Sequence, residues 1–119
     1  MSINLRPAAV AGMFYPDSPS ELSRDVSALF VEIPGWIDAA PKAVIAPHAG
    51  YIYSGPIAAR AFATLAGLRN RIHRVILLGP THRVAVHGLA LPTSEAFATP
   101  LGAVAIDRKG ADTISDMPQ

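Results

Sequence analysis

Two short apolar segments constrain the fold of this chain more than any other feature. They are "KAVIAP" (42–47) and "RVILLGP" (74–80), and neither alternates between apolar and polar residues. Such runs are typical of strands buried on both faces of a parallel sheet. The Ala-rich stretch between them, residues 56–68, carries apolar side chains at helical spacing. We therefore predict a βαβ unit with parallel strands, within an α/β fold whose helices flank a parallel-type sheet as an α/β/α sandwich.

Another helix is predicted near the start of the chain, at "SPSEL" (18–22). We expect Ser18 to be its N-cap, Pro19 its first residue and Glu21 the third position of a capping box. Pro34 and Gly35 should end the helix. Its buried stripe is predicted to consist of Leu22, Val26, Leu29 and Phe30.

The remaining third of the chain gives weaker signals. Residues 88–92 and 102–107 are predicted strands, residues 93–100 a loop, and the last residues the beginning of a helix. Only 16% of the residues are charged, against about 25% in an average domain. A small domain with so few charged residues suggests either a binding partner or a further part of the domain that is missing. Open sheet edges would also permit self-association.

Composition argues against several functions. The net charge is +1, and the longest basic cluster is "RNRIHR" (69–74), so we expect no nucleic-acid binding. With no cysteine, this stretch can form neither a disulfide nor a thiolate metal site. No N-terminal basic-plus-apolar signal pattern appears in these residues, and no apolar run approaches the ~18 residues of a membrane span. We expect a cytoplasmic protein that does not bind membranes.

Two histidines follow the predicted strands. His48 comes after the first strand and His82 after the second, so both should lie at one edge of the sheet, where neighbouring strands are ~4.8 Å apart. Two imidazoles there could bind one metal ion, and two histidines with a carboxylate form the non-haem iron pattern. Alternatively, each is a hydrogen-bonded turn residue. His73 and His87 lie elsewhere and are poorer candidates.

The residues around these histidines have both structural and functional interpretations. Ser54 is expected to cap the following helix, whose N-terminus would face the histidines and favour an anionic group. Tyr51 and Tyr53 are either core aromatics or hydrogen-bond donors that line a pocket. The hydroxyl of Thr81 either satisfies a turn or lines the same pocket. The predicted substrate-binding residues are Gly50, Tyr51, Tyr53 and Thr81.

At these positions the sequence resembles the Memo-like family, also called AmmeMemoRadiSam system protein B. Three blocks carry the resemblance: "AGMFYP" (11–16), "IAPHAGYIYSG" (45–55) and "ILLGPTHRV" (76–84). A weaker fourth is "TPLGAVAID" (99–107). The blocks occur in order over nearly the whole chain.

The resemblance implies a site. The family is similar to class III extradiol dioxygenases, α/β proteins with a metal at the C-terminal sheet edge, and its metal-site histidines correspond to His48 and His82. Arg83 stands where members often carry a further histidine. Members also run on to a later histidine and cysteine. We therefore expect residues 1–119 to be the N-terminal portion of a single domain, or a truncated product, with the third ligand outside this chain.

Three functions remain open. The first is a metal-dependent oxidoreductase of the dioxygenase type, with iron as the first choice of metal and copper or zinc as alternatives, acting on a small molecule. The second is a non-catalytic module that binds phosphotyrosine-type peptides, as the resemblance implies for some family members. A zinc hydrolase ranks lowest, because Glu95 is its nearest candidate base and lies in a predicted loop.

Overall fold

The computed structural model describes residues 3–33, 40–115 and 117. Its helices and small sheet confirm the α/β class. No helix in this part of the chain is long and apolar enough to cross a membrane. In chain order the elements are β1 (Leu5–Arg6), α1 (Pro19–Val31), α2 (Tyr51–Ala63), a 3-10 turn (Ala66–Leu68), β2 (Ala96–Thr99), β3 (Gly102–Ala105) and α3 (Arg108–Ser115).

Helix α1 begins where the sequence predicts. Ser18 is the N-cap, and its hydroxyl oxygen accepts a hydrogen bond from the Glu21 N–H at 3.5 Å. Among the described residues, no reciprocal bond from the Glu21 side chain completes the capping box. Leu22 is buried, at 5% exposure, whereas Phe30 at the end of the predicted stripe is exposed. The predicted stop at 34 and 35 lies outside the described residues.

Helix α2 begins at Tyr51, five residues earlier than predicted, with Gly50 as its N-cap. The prediction of Ser54 as the cap is wrong. Ser54 is buried in the first turns of the helix, and its hydroxyl donates to the Ala49 carbonyl at 2.9 Å. Pro56 therefore lies inside the helix, where it has no N–H to donate.

Helices α1 and α2 pack against each other. Gly55 lies at this contact, because a Cβ added to it would be 3.1 Å from Cδ1 of Leu29. Ala59, one turn further along α2, is also buried. Small residues on α2 thus allow close approach to the larger side chains of α1.

The three-stranded sheet is mixed, in the order β1-β2-β3. Strand β1 pairs with β2 in parallel, and β2 pairs with β3 in an antiparallel hairpin that closes at Gly102, whose φ is 128°. The prediction of a loop over residues 93–100 is wrong, since β2 forms there. The predicted strand over 102–107 is confirmed for 102–105, whereas the one over 88–92 is wrong.

The predicted βαβ unit does not form. Residues 42–47 and 74–80 flank the helical region as expected, but neither segment is a strand. A strand is defined by hydrogen bonds to a neighbour, and the described residues provide no aligned partner for either segment. Helix α3 is present, as predicted, and Asp107 accepts a hydrogen bond from the Gly110 N–H at 3.0 Å in its first turn.

Candidate functional site

The imidazole rings of His48 and His82 lie next to each other. Their centroids are 5.4 Å apart and their planes are inclined at 41°. Each histidine follows one of the two apolar segments, and the predicted proximity is confirmed although neither segment is a strand. Both residues are exposed. The role of the pair as metal ligands stays a prediction.

The distance between the rings fits two ligands of one metal ion. A ring nitrogen about 2.1 Å from a metal puts the centroid about 3.2 Å away, so two such rings have centroids no more than about 6.4 Å apart. The observed 5.4 Å lies within this limit. Within the described residues there is no group of three potential metal ligands. The two histidines would therefore supply two ligands, and a metal site would need at least one more.

The backbone around His48 is held by the "AGMFYP" block. The Phe14 carbonyl accepts a hydrogen bond from the Tyr51 N–H at 2.8 Å. Gly50 packs against the same residue, since a Cβ there would be 3.4 Å from the Phe14 oxygen. Gly12 adopts a φ of 79° in the turn that presents Phe14, a conformation that costs other residues about 1–2 kcal/mol. Two of the blocks recognised in the sequence therefore meet beside His48.

A largely apolar cavity of about 520 Å³ opens beside His48. Its walls are formed by helices α1 and α2, the first turns of the chain and the residues just before α2. Its polar groups come from a few side chains, and its size is in the usual range for small-ligand sites. The lining residues used below are His48, Phe14, Tyr15, Tyr51 and Phe62.

The predicted substrate-binding residues have different positions. Tyr51 lines the cavity, and its ring lies 5.8 Å from that of Tyr15. Gly50 is the buried N-cap of α2. Tyr53 is 82% exposed, and neither it nor Thr81 lines the cavity. Because the Tyr51 N–H is bonded to Phe14, one of the donors expected at the helix N-terminus is already used.

Sequence reasoning missed the contribution of Phe14 and Tyr15 to this cavity. Both belong to the "AGMFYP" block, so that block was the available signal. It gave no indication of a pocket, because the contact with α2 joins residues far apart in the sequence.

The second apolar segment is attached to α3 at its start. Nε of Arg74 lies 2.5 Å from Oδ2 of Asp107. The Gly110 N–H bond and the nearby Arg74 cation lower the pKa of Asp107 from its ordinary value of 3.8. Arg108, the next residue, donates to the carbonyl oxygens of residues 92, 93 and 94. The Arg74–Asp107 ion pair lies at the start of the segment that leads to His82, whereas the Arg108 bonds hold the residues before β2.

Glu95, the candidate base for zinc hydrolysis, has a structural partner. Its Oε2 accepts a hydrogen bond from the Asn4 N–H at 2.8 Å, and its own N–H donates to the Asn4 carbonyl at 2.8 Å. Glu95 thus connects β1 to β2.

The sequence is similar to a family model and to several known proteins of one family. The family model described as Memo-like protein matches residues 6–119. A MEMO1 family protein of Methanothermobacter thermautotrophicus is 39% identical over 119 residues, covering 92% of this chain and 42% of the relative. Protein MEMO1 of Xenopus tropicalis is 39% identical over 110 residues, covering 87% and 34%. The Protein memo-1 homolog of Caenorhabditis elegans is 36% identical over 110 residues, covering 87% and 29%.

The chain therefore spans less than half the length of these relatives. The match includes both histidines, the "AGMFYP" block and α1 to α3. This chain belongs to the Memo-like family.

Proposed function

We propose that His48 and His82 are two ligands of a divalent transition metal in a metal-dependent oxidoreductase related to the non-haem iron dioxygenases. The observation that carries the proposal is the 5.4 Å distance between the ring centroids. Iron is the first choice, with copper or zinc as alternatives, since imidazole binds all three. The remaining ligand is supplied from outside the described residues.

The chain's own residues would bind and orient the substrate. Apolar side chains line most of the cavity beside His48 and would contact an apolar part of the ligand, and the Tyr51 phenol can donate a hydrogen bond to it. A bound metal would supply Lewis-acid and redox chemistry next to this cavity. The exposure of the two imidazoles leaves their nitrogens accessible to a metal ion.

Metal affinity tests the proposal directly. We would titrate the purified chain with Zn²⁺ and anaerobically with Fe²⁺ by calorimetry, and compare His48→Ala and His82→Ala with the matched controls His73→Ala and His87→Ala. All four histidines are exposed. The first two variants should bind at least 10-fold more weakly, and the controls should bind like the parent chain. Equal affinity in all four variants would refute the site.

The same variants distinguish the metal-dependent oxidoreductase from a peptide-binding module. Binding of a phosphotyrosine peptide in the presence of a chelator, abolished by His48→Ala and by His82→Ala, would favour a non-catalytic module. If the two histidines are instead metal ligands of an oxidoreductase, the peptide should not bind, or should bind equally well to the parent chain and to the two variants.

A further inference from the structure

Ser54 is a buried polar residue, with 7% of its surface exposed. It is the fourth residue of α2. A serine inside a helix usually bonds to the carbonyl oxygen three or four residues earlier. The Ser54 hydroxyl instead reaches five residues back and donates to the Ala49 carbonyl at 2.9 Å. This bond therefore leaves the helix and ends at the residue next to His48.

The backbone bonds at the start of α2 explain why the hydroxyl bonds to Ala49. The Gly50 carbonyl, four residues before Ser54, already accepts the N–H groups of Tyr53 and Ser54, at 2.9 and 3.1 Å. Among the described residues, the Ala49 carbonyl has no hydrogen-bond partner besides the Ser54 hydroxyl. The hydroxyl thus satisfies an acceptor just outside the helix.

The turn before α2 is held at two points. The Tyr51 N–H donates to the Phe14 carbonyl, and Ser54 holds Ala49. No described residue hydrogen-bonds to the backbone of residues 43–48. Within the described part of the chain, the bond from Ser54 to Ala49 is therefore the hydrogen bond nearest to His48 along the sequence.

We propose that Ser54 is a positioning residue for His48. Its hydrogen bond fixes the Ala49 peptide group and with it the position of the preceding residue. The His48 imidazole is thereby kept beside that of His82, with 5.4 Å between the ring centroids. This role rests on the proposed function, in which His48 is a metal ligand. Ser54 acts through the backbone and is not itself a ligand.

Metal affinity should be sensitive to this positioning. Distances between a metal and its ligands are held within about 0.2 Å, whereas both imidazoles lie on exposed residues. Two ligands that are already held close together lose less conformational freedom when the metal binds. Replacing a partner that orients a metal ligand typically costs about 10- to 100-fold in metal affinity. We expect the low end of this range for Ser54, because its effect passes through one peptide group.

A purely stabilising role for Ser54 predicts a different result. The bond would then support the start of α2 and have no effect on the imidazoles. Thr64 offers a matched control, since its Oγ1 donates to the Ala61 carbonyl at 2.7 Å at the other end of the same helix. Thr64 lies about 15 Å from Ser54 along the helix axis. Thr64→Val therefore removes a comparable hydrogen bond far from the histidines.

Two measurements on the 119-residue chain test the positioning role. The first is the nuclear Overhauser effect between the ring protons of His48 and His82, recorded with a chelator present. The effect should occur in the parent chain and in Thr64→Val, and should fall below half of the parent intensity in Ser54→Ala. The second is Zn²⁺ affinity by calorimetry. It should fall about 10-fold in Ser54→Ala and stay unchanged in Thr64→Val.

A second variant at the same position tests whether the hydroxyl is the cause. Ser54→Thr keeps the hydroxyl donor, so it should match the parent chain in both measurements. Circular dichroism and urea unfolding show whether each variant is folded. A role in stability alone would lower the urea midpoints of Ser54→Ala and Thr64→Val alike and leave the Overhauser effect between the rings unchanged in both.

Three results would overturn the positioning role and leave the proposed metal site untouched. The first is an unchanged Overhauser effect and Zn²⁺ affinity in folded Ser54→Ala. The second is an equal loss in Ser54→Ala and Ser54→Thr, and the third is the absence of the effect in the parent chain. Conversely, a parent chain that binds no Zn²⁺ but loses the Overhauser effect in Ser54→Ala would refute the proposed function and support the positioning role.

Discussion

His48 lies with its ring centroid 5.4 Å from that of His82, although one residue precedes α2 and the other lies beyond the 3-10 turn that follows it. The polypeptide between them runs out along α2 and returns. The relationship is therefore a property of the helical connection, and it does not require the flanking segments to be paired.

Metal binding should stabilise the chain much more when both histidines are present than when either is replaced. Zn²⁺ at about 100 times its dissociation constant should raise the free energy of unfolding by about 2.7 kcal/mol, because the ligand binds the folded state. His48→Ala and His82→Ala, which should bind at least 10-fold more weakly, should each lower this increase to about 1.4 kcal/mol or less at the same Zn²⁺ concentration, whereas His73→Ala should retain it in full. Urea unfolding followed by circular dichroism measures the effect, and an equal increase in His48→Ala would contradict the prediction.

The contact between α1 and α2 should not tolerate a larger side chain at Gly55. A Cβ there would already be 3.1 Å from Leu29, so Gly55→Val should lower the free energy of unfolding by about 1–3 kcal/mol through overpacking. Gly67→Val is the control, since no atom lies within 4 Å of a Cβ at Gly67. Equal urea midpoints for the two variants would show that the helices do not pack as described.

Arg108 should stabilise the region before β2. Its guanidinium donates to three carbonyl oxygens, including those of Pro92 and Ser94 at 2.8 and 2.6 Å. Arg108→Ala should cost about 1.5–3 kcal/mol of unfolding free energy, because hydrogen bonds from a charged group are lost. The exposed neighbour Lys109 offers a matched control, and Lys109→Ala should stay within about 0.5 kcal/mol of the parent. A similar loss in both variants would argue against the three bonds.

Asp107 should make stability depend on pH in the acid range. The Gly110 N–H and then Arg74 lower its pKa in the folded chain below the ordinary 3.8. The stabilising contribution is therefore fully present above the unfolded-state pKa and is lost as the pH falls through the lower, folded-state value.

Urea unfolding of the parent chain and of Asp107→Asn between pH 6 and pH 2 measures this contribution. The stability difference between the two proteins should be constant down to about pH 5 and shrink below about pH 4. A difference that does not change over this range would show that the Asp107 carboxylate does not contribute.

The helix starts that depend on neighbouring residues are predicted accurately. Helix α1 has a side-chain N-cap at Ser18 and a proline at its first position, and both act within one turn of the helix. The start of α3 beside Asp107 is similarly local. The family blocks and the spacing of His48 and His82 were likewise visible in the sequence.

The remaining features depend on contacts between residues distant along the chain. Tyr51 begins α2 with its N–H bonded to the Phe14 carbonyl, and β2 forms where Ala96 pairs with Leu5 on one side and Ala105 on the other. Conversely, residues 42–47 and 74–80 have the composition of strands, but no described segment pairs with them as a neighbouring strand. Helix caps need only neighbouring residues, whereas strand hydrogen bonds need a second segment in register, and only the tertiary structure decides whether that segment is there.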